Sequence, residues 1–290
     1  MSDDPFITHR SLLFTVAYEM LGSAADAEDV VQETWVRWAN VAQEEVRDPR
    51  AYLVRVVTRQ ALDRMRTVTR RREDYVGVWL PEPLLTSPDV ADDIELAESV
   101  SIAMLTVLET LGAVERAVFV LREVFDVPYD EIAQAVGKST AAVRQIAHRA
   151  REHVNARRPR VSVDRDEQRA VVERFQVALT TGDLQGLLDV LAPDVKFIAD
   201  GGGVVPAAMR PFSGARTVAR QLARFPALAP GVRVVASWLN GAPALRIDPE
   251  GTFDSAVSLT VDGGRITRIY SVRNPEKLAG LDHVAALARS

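Results

Sequence analysis

The chain has no cysteine among its 290 residues, which excludes disulfides and thiolate metal sites. No stretch of eighteen consecutive apolar residues occurs, so no membrane span is expected. The opening "MSDDPFITHR" is acidic and lacks the basic-then-apolar profile of a signal peptide. Together these absences fit a protein of the reducing cytoplasm, with no membrane partner. Positive charge is also short: Lys+Arg 35 against Asp+Glu 40 gives a net charge of -5. That argues against a general nucleic-acid binder and requires any DNA contact to come from local clusters. Histidine is sparse, and His283 is the only one after residue 160.

What is present is an ordinary globular mix, 47% hydrophobic and 26% charged, long enough for two domains or three small ones. Two basic clusters stand out: "DRMRTVTRRR", with Arg64, Arg66, Arg70, Arg71 and Arg72, and a run from Arg144 to Arg160. Taken alone, either is a solvated helix face. Acids gather at Asp26 to Glu33 and at Asp89 to Glu98. Residues 6–73 read as consecutive amphipathic helices, residues 74–99 as a proline-bearing acidic linker, and residues 100–158 as helical again. After Arg157-Arg158-Pro159 two helices are expected, at about 164–180 and 183–191. Strand character follows in "VKFIAD", "VRVVASWLN", "ALRI", "FDSAVSLTV" and "RITRIYSV", with "DGG" at Asp262–Gly264 reading as a hairpin turn. The expected fold is thus two all-α domains followed by an α+β domain, without internal repeats.

The segment "VPYDEIAQAVGKSTAAVRQIAHRARE" has the grammar of a helix-turn-helix. A first helix starts after Pro128 with Asp130 and Glu131 in its dipole-favoured first turn. Gly137 ends it and Ser139 caps the next. In the second helix Val143, Ile146, Ala147 and Ala150 form one buried stripe, while Ala141, Arg144, Gln145 and His148 form the opposite one, able to reach base edges or phosphates. A ligand-free helical hairpin shares this pattern, but the exposed stripe is polar without Glu/Lys pairing, which favours DNA.

"ERAVFVLREVFDVPYDEIAQAVGKSTAAVRQIAHRARE" resembles the −35-binding domain of extracytoplasmic-function sigma factors of bacterial RNA polymerase. The resemblance implies that Lys138, Ser139, Thr140, Arg144, Gln145, His148 and Arg149 face the −35 element. "DAEDVVQETWVRWAN" places Ala27, Val31, Thr34 and Trp38 on one stripe and Asp26, Asp29 and Glu33 on another. It is similar to the sigma helix that grips core RNA polymerase, which makes Asp26, Asp29, Gln32 and Glu33 the candidate polymerase contacts. "DPRAYLVRVVTRQALDRMRTVTRRR" resembles the helix-loop-helix that reads and melts the −10 element, through Arg59, Gln60, Asp63, Arg64 and Arg66 here; the family commonly has asparagine where this chain has Gln60. Flipped single-strand bases held by basic and polar side chains are the physics of that step. The domains expected are 1–73, a linker over 74–99, 100–158, and an extension over 162–290.

The extension begins with "TTGDLQGLLDVLAPDVKFIADGGG", similar to SnoaL-like domains: cone-shaped α+β folds with a curved antiparallel sheet around a pocket, some of them cyclases or isomerases with an Asp or His acid/base. Asp200 reads either as such a residue or as the start of a turn before Gly201. A base needs an orienting partner, and no dyad is visible, so no catalytic residue, cofactor or metal is assigned. A pocket there would hold a small molecule the sequence does not identify. Three segments resemble signatures of the sigma-factor group carrying this fused domain: "WLPEP" (Trp79, Leu80, Pro81, Glu82, Pro83), "DGGG" (Asp200, Gly201, Gly202, Gly203) and "NPEKL" (Asn274, Pro275, Glu276, Lys277, Leu278). A linker this apolar and stiff reads as a docking peptide, extended at low entropic cost, with Lys277 expected near Glu82. The alternative is that Trp79 merely packs on the preceding helix. The function expected is a promoter-specificity subunit binding core polymerase and promoter DNA, regulated in cis, for which a separate anti-sigma factor is less necessary. A cyclase-like enzyme with a helical regulator and a stand-alone helix-turn-helix repressor are the alternatives.

Overall fold

The computed structural model describes residues 4–73, 75–158, 164–248, 251 and 254–289. Asp4 accepts from Phe6 N and Pro5 stands at the first helical position, which starts α1, Pro5–Leu21. α2, Ala24–Ala39, is capped by Ser23 and buries Ala27, Val31, Thr34 and Trp38, the stripe expected from the sequence. α3 runs Pro49–Glu73; the side chains of Arg70, Arg71 and Arg72 lie outside the described residues, as do Pro159 and Arg160. Then come α4, Ile94–Ser99, α5, Ile102–Leu108, and α6, Ala113–Phe119, which continues into a π-turn over Val120–Val124. α7, Tyr129–Val136, and α8, Thr140–Arg157, form the helix-turn-helix. One hydrophobic cluster extends from Phe6 to Val154, so the first three helices and the helix-turn-helix share a core. Among the described residues no helix is long and apolar enough to cross a membrane.

The remainder is α+β. α9, Arg165–Thr181, and α10, Leu184–Val190, precede β1, Leu191–Asp200; β2 is Phe212–Ser213. α11, Ala215–Leu222, and α12, Phe225–Leu228, lead to β3, Val234–Leu239, β4, Ala242–Ile247, β5, Ser255–Asp262, and β6, Arg265–Val272, and α13 is Pro275–Leu278. The "DGG" turn joins β5 to β6 with positive φ at Gly263 and Gly264 and Asp262 paired to Arg265, as expected for a two-residue hairpin. The strand order is β2-β1-β6-β5-β4-β3. β1 and β6 run parallel, so the sheet is mixed rather than wholly antiparallel. The connection between these two strands contains most of the domain and imposes no reversal, whereas two-residue hairpins do.

One face of the sheet packs on α9, α10 and α11 through Val171, Phe175, Leu187, Val218, Leu245 and Ile269. Its other face, with Leu239, Ala244, Ala256, Tyr270 and Val272, packs on Leu80 of the linker and on Ile102 and Ala103 of α5. The linker is therefore structured. Leu85 bridges antiparallel to Leu239 and parallel to Val284, and α4 lies within the segment expected to be a bare connector.

Candidate nucleic-acid interface and linker clamp

The helix-turn-helix forms as its sequence dictates. Gly137 adopts φ 69, which L side chains resist, and its N–H closes on Ala133 O. Ser139 Oγ accepts from Ala142 N at 3.2 Å. Val143, Ile146, Ala147 and Ala150 are buried. Lys138, Ser139, Arg144, Gln145, His148 and Arg149 are exposed and Thr140 half-exposed, so the candidate −35 set is presented to solvent along one side of α8 and its entry turn. His148 lies 3.7 Å from Glu152 one turn on.

The candidate −10 set on α3 is disposed differently. Arg59 donates to Gln134 O at 2.7 Å and to Ala135 O at 3.4 Å, at the C-terminal, negative end of α7. Gln60 is only 8% exposed and donates to Glu33 Oε2 at 3.0 Å. Arg64 bridges Asp26 at 2.7 Å and Asp29; burial pulls its guanidinium pKa down, but the bonds and charges of these two acids outweigh that and leave it raised. Arg66 pairs with Asp63 at 2.8 Å. Arg59, Gln60 and Arg64 are thus held by other elements, whereas Asp63 and Arg66 pair with each other on the exposed surface of α3. Three of the four candidate polymerase contacts, Asp26, Asp29 and Glu33, hold −10 residues, while Gln32 is exposed. Beside them Trp35 and Val36 are 49% and 52% exposed, an apolar patch that the stripe analysis of α2 passed over because both fall outside its buried stripe.

The three signature segments meet. The Asp200 side chain is 0% exposed and that of Lys277 6%, with Nζ 2.7 Å from Oδ2. Lys277 also donates to Leu80 O at 2.6 Å, and its ammonium lies 4.1 Å from the Trp79 ring centroid. Asp200 further accepts from Leu80 N at 2.8 Å, Tyr75 OH at 2.5 Å and Gly202 N at 3.0 Å. These four donors fill the carboxylate's acceptor sites, leaving none to abstract a substrate proton; the turn reading of Asp200 holds through its bond to Gly202 N. Burial, with Asp200 alongside, pushes the Tyr75 pKa up. Gly201 and Gly203 complete the loop, and Val76 would meet any Cβ at Gly203. Gly202 has φ +62 and a Cβ there would collide with the Asn274 amide, which donates to Tyr75 OH at 2.9 Å while its Oδ1 caps α13 through Glu276 N at 3.1 Å. Pro275 stands at the start of α13 and Leu278 packs with Leu80.

Lys277 lies near enough to Glu82 to act on its charge, as expected. The Glu82 carboxylate itself caps α2, accepting from Ala24 N, from Ala25 N at 3.2 Å and from Ser23 Oγ at 3.2 Å. A helix N-terminus offers unpaired amides and positive potential, which suit a carboxylate. Burial raises the Glu82 pKa; those donors and Lys277 oppose it. Pro81 and Pro83 are buried on either side. Trp79 sits over Gly22 at the α1–α2 junction as well as beside Lys277.

Asn240 was missed by sequence reasoning. It holds φ 52 in the β3–β4 turn. Its Oδ1 accepts from Leu84 N at 3.0 Å, and its Nδ2 donates to Tyr18 OH at 2.7 Å and Val100 O at 2.8 Å. Tyr18 OH in turn donates to Glu82 O at 2.6 Å. One amide therefore joins α1, the linker, the α4–α5 junction and the sheet. The dipeptide Asn240-Gly241 between two strands is a hairpin signal that would have marked the turn, though not its partners.

Residues 6–71 match the sigma-70 region 2 family and residues 101–154 the sigma-70 region 4 family. The ECF RNA polymerase sigma factor SigJ of Mycobacterium tuberculosis is 36% identical over 97% of this chain and 94% of its own length. A probable ECF RNA polymerase sigma factor of the same organism, SigI, is 34% identical over 93% of this chain and 92% of its own. The crystal structure of SigJ superposes with a TM-score of 0.77 at 34% identity, covering 95% of this chain and 98% of that one. With both helical modules, their order and the α+β extension shared end to end, the chain belongs to the extracytoplasmic-function RNA polymerase sigma factors, transcription initiation factors, in a form with a fused C-terminal domain.

Proposed function

We propose that this sigma factor is regulated in cis: its C-terminal domain fixes the linker, contacts between its helices hold the free chain closed, and it opens on core polymerase. In the closed form Asp26, Asp29 and Glu33 hold Arg64 and Gln60, and α7 holds Arg59. Polymerase would engage α2 through Asp26, Asp29, Gln32 and Glu33 together with Trp35 and Val36, releasing the −10 set: Arg59, Gln60, Asp63, Arg64 and Arg66. The −35 set on α8, Lys138 to Arg149, docks on its element. The Asp200–Lys277–Leu80 junction fixes the linker between the two DNA-binding modules, and the C-terminal strap Val284–Arg289 lies against it. The observation that carries this reading is that α2 and α7 hold Arg59, Gln60 and Arg64 of the −10 set while the −35 set is exposed. It supports poor promoter binding by the free protein and makes a separate anti-sigma factor unnecessary for keeping it off.

The test is capture of core polymerase by the purified chain, followed by run-off transcription. The full chain is expected to bind core and start transcripts. Truncation after Leu278 is expected to alter output, and removal of the whole extension to lower it. Absence of affinity for core overturns the reading. So does tight, specific binding of duplex DNA by the chain alone, which is the behaviour of a repressor.

A further inference from the structure

Between Asp200 and Asp248 the chain contains no acid, although it has Asp+Glu 40 overall, and it carries six arginines there: Arg210, Arg216, Arg220, Arg224, Arg233 and Arg246. Arg246 turns inward to Asp254 at 2.9 Å. Arg210, Arg216, Arg220 and Arg224 are exposed, and no ion pair involves them among the described residues. Arg216, Arg220 and Arg224 are spaced i, i+4, i+8 from α11 into its exit, which puts them on one stripe about 6 Å apart along the axis. The opposite side buries Val218 and Ala219. The acids of neighbouring α10 are engaged locally: Asp183 accepts from Gln185 N at 3.0 Å and Asp189 from Gln185 Nε2 at 2.8 Å.

The row also has a place. Met209 lies against Gly77, its Sδ 3.8 Å from where a Cβ would stand, and Val76 lies against Gly203. Arg210 therefore sits beside the residues that leave α3, the arginine-rich helix of the −10 reader. Lys196, exposed on β1, pairs in register with Ser213 between Arg210 and Arg216. Four exposed cations in an acidic protein, the first of them beside the exit of a DNA-reading helix, match the phosphate backbone in charge.

We infer that Arg210, Arg216, Arg220 and Arg224 form a further DNA contact, binding phosphates of the promoter duplex next to the −10 element. The contact is sequence-independent, since phosphates position and base edges specify. It rests on the sigma-factor reading and gives the extension a part in promoter affinity beyond closing the linker.

The experiment uses holoenzyme assembled from core polymerase and the full chain, with promoter affinity measured by fluorescence anisotropy from 50 to 200 mM salt. The variant R210Q/R216Q/R220Q/R224Q is expected to bind about 10- to 100-fold more weakly near 0.15 M. Its slope of log K against log salt should be shallower by roughly 2 to 4, at about 0.9 per phosphate lost. The all-lysine counterpart keeps the slope, and affinity for core is unchanged in both. If the quadruple variant melts early, the single changes R216Q and R220Q carry the test, each shallower by about 1. A wild-type holoenzyme that starts no transcript defeats the sigma reading itself. A wild type that starts transcripts while the variants keep slope and affinity defeats only the arginine row. Loss of core affinity at an unchanged slope assigns the row to polymerase and overturns the inference.

Discussion

Asn240 and Lys277 are the two side chains on which the extension's grip turns, and they work by different physics. Lys277 and Asp200 are a buried ion pair, whose desolvation offsets much of its attraction; its value lies in admitting one arrangement of Trp79, Leu80 and Asn274 around it. Asn240 is neutral, and three hydrogen bonds across the seam depend on its amide. Asn240→Ala leaves Leu84 N and Val100 O buried without that partner, at about 1–3 kcal/mol for each stranded group. It also puts alanine at φ 52, where asparagine is tolerated far better. The expected result is a loss of roughly 3 kcal/mol in urea denaturation, with protease cleavage in the linker appearing before global unfolding. Asn240→Asp should be no better, because it turns an oxygen toward Val100 O. Unchanged denaturation and cleavage in both variants would remove Asn240 from the account.

The linker behaves as an element rather than a connector. Thr86 N donates to Trp238 O at 3.0 Å and Asn240 N to Leu84 O at 2.9 Å, while Ala285 N donates to Leu85 O at 2.8 Å. The linker thus bridges β3 and the C-terminal strap at Leu85, and Leu80 is its buried anchor. Trp79→Ala with Leu80→Ala removes that anchor and the lysine's aromatic neighbour; a buried Leu→Ala alone costs about 2–5 kcal/mol. Crosslinks between residues 75–86 and the Asn274–Leu278 segment should fall, and run-off output should change at least two-fold. Unchanged crosslinking together with unchanged transcription would sink the docking role. Elements with their own periodicity were legible in the sequence: the buried stripes of α2 and α8, the Gly137 turn, the "DGG" hairpin and the strands from β3 onward. What was not legible depends on partners far along the chain. β2 has two residues and no period. Gln60 reads as surface until Glu33 stands opposite it, and no spacing reveals that Lys277 pairs with Asp200 or that Glu82 caps α2.

At the scale of the whole molecule, the shared core from Phe6 to Val154 packs α1 against α4 and buries a carboxylic acid in the seam. Glu19 is fully buried; Oε1 accepts from Ser99 Oγ at 2.7 Å, and Oε2 has no hydrogen bond among the described residues. Burial pushes its pKa up to about 8, against the pull of Ser99 and Arg289. An unfolded glutamate ionises near 4.3. Between these values the folded chain holds a proton that the unfolded chain has released, so stability falls as pH rises. Glu19 thus imposes no penalty below about pH 4.3 and a full one above its folded pKa. Glu82 and Glu131 are raised as well and act in the same direction, while the lowered pKa of His9 opposes them around neutrality. The comparison must therefore be between variants. Glu19→Gln keeps an acceptor for Ser99 and removes the titration, so its stability relative to wild type should climb by roughly 2–4 kcal/mol from pH 5 to pH 8.5. Urea denaturation at four pH values across that range measures it. Parallel curves would mean that the seam opens enough for Glu19 to ionise in the folded state, and the shared core would then be looser than its packing implies.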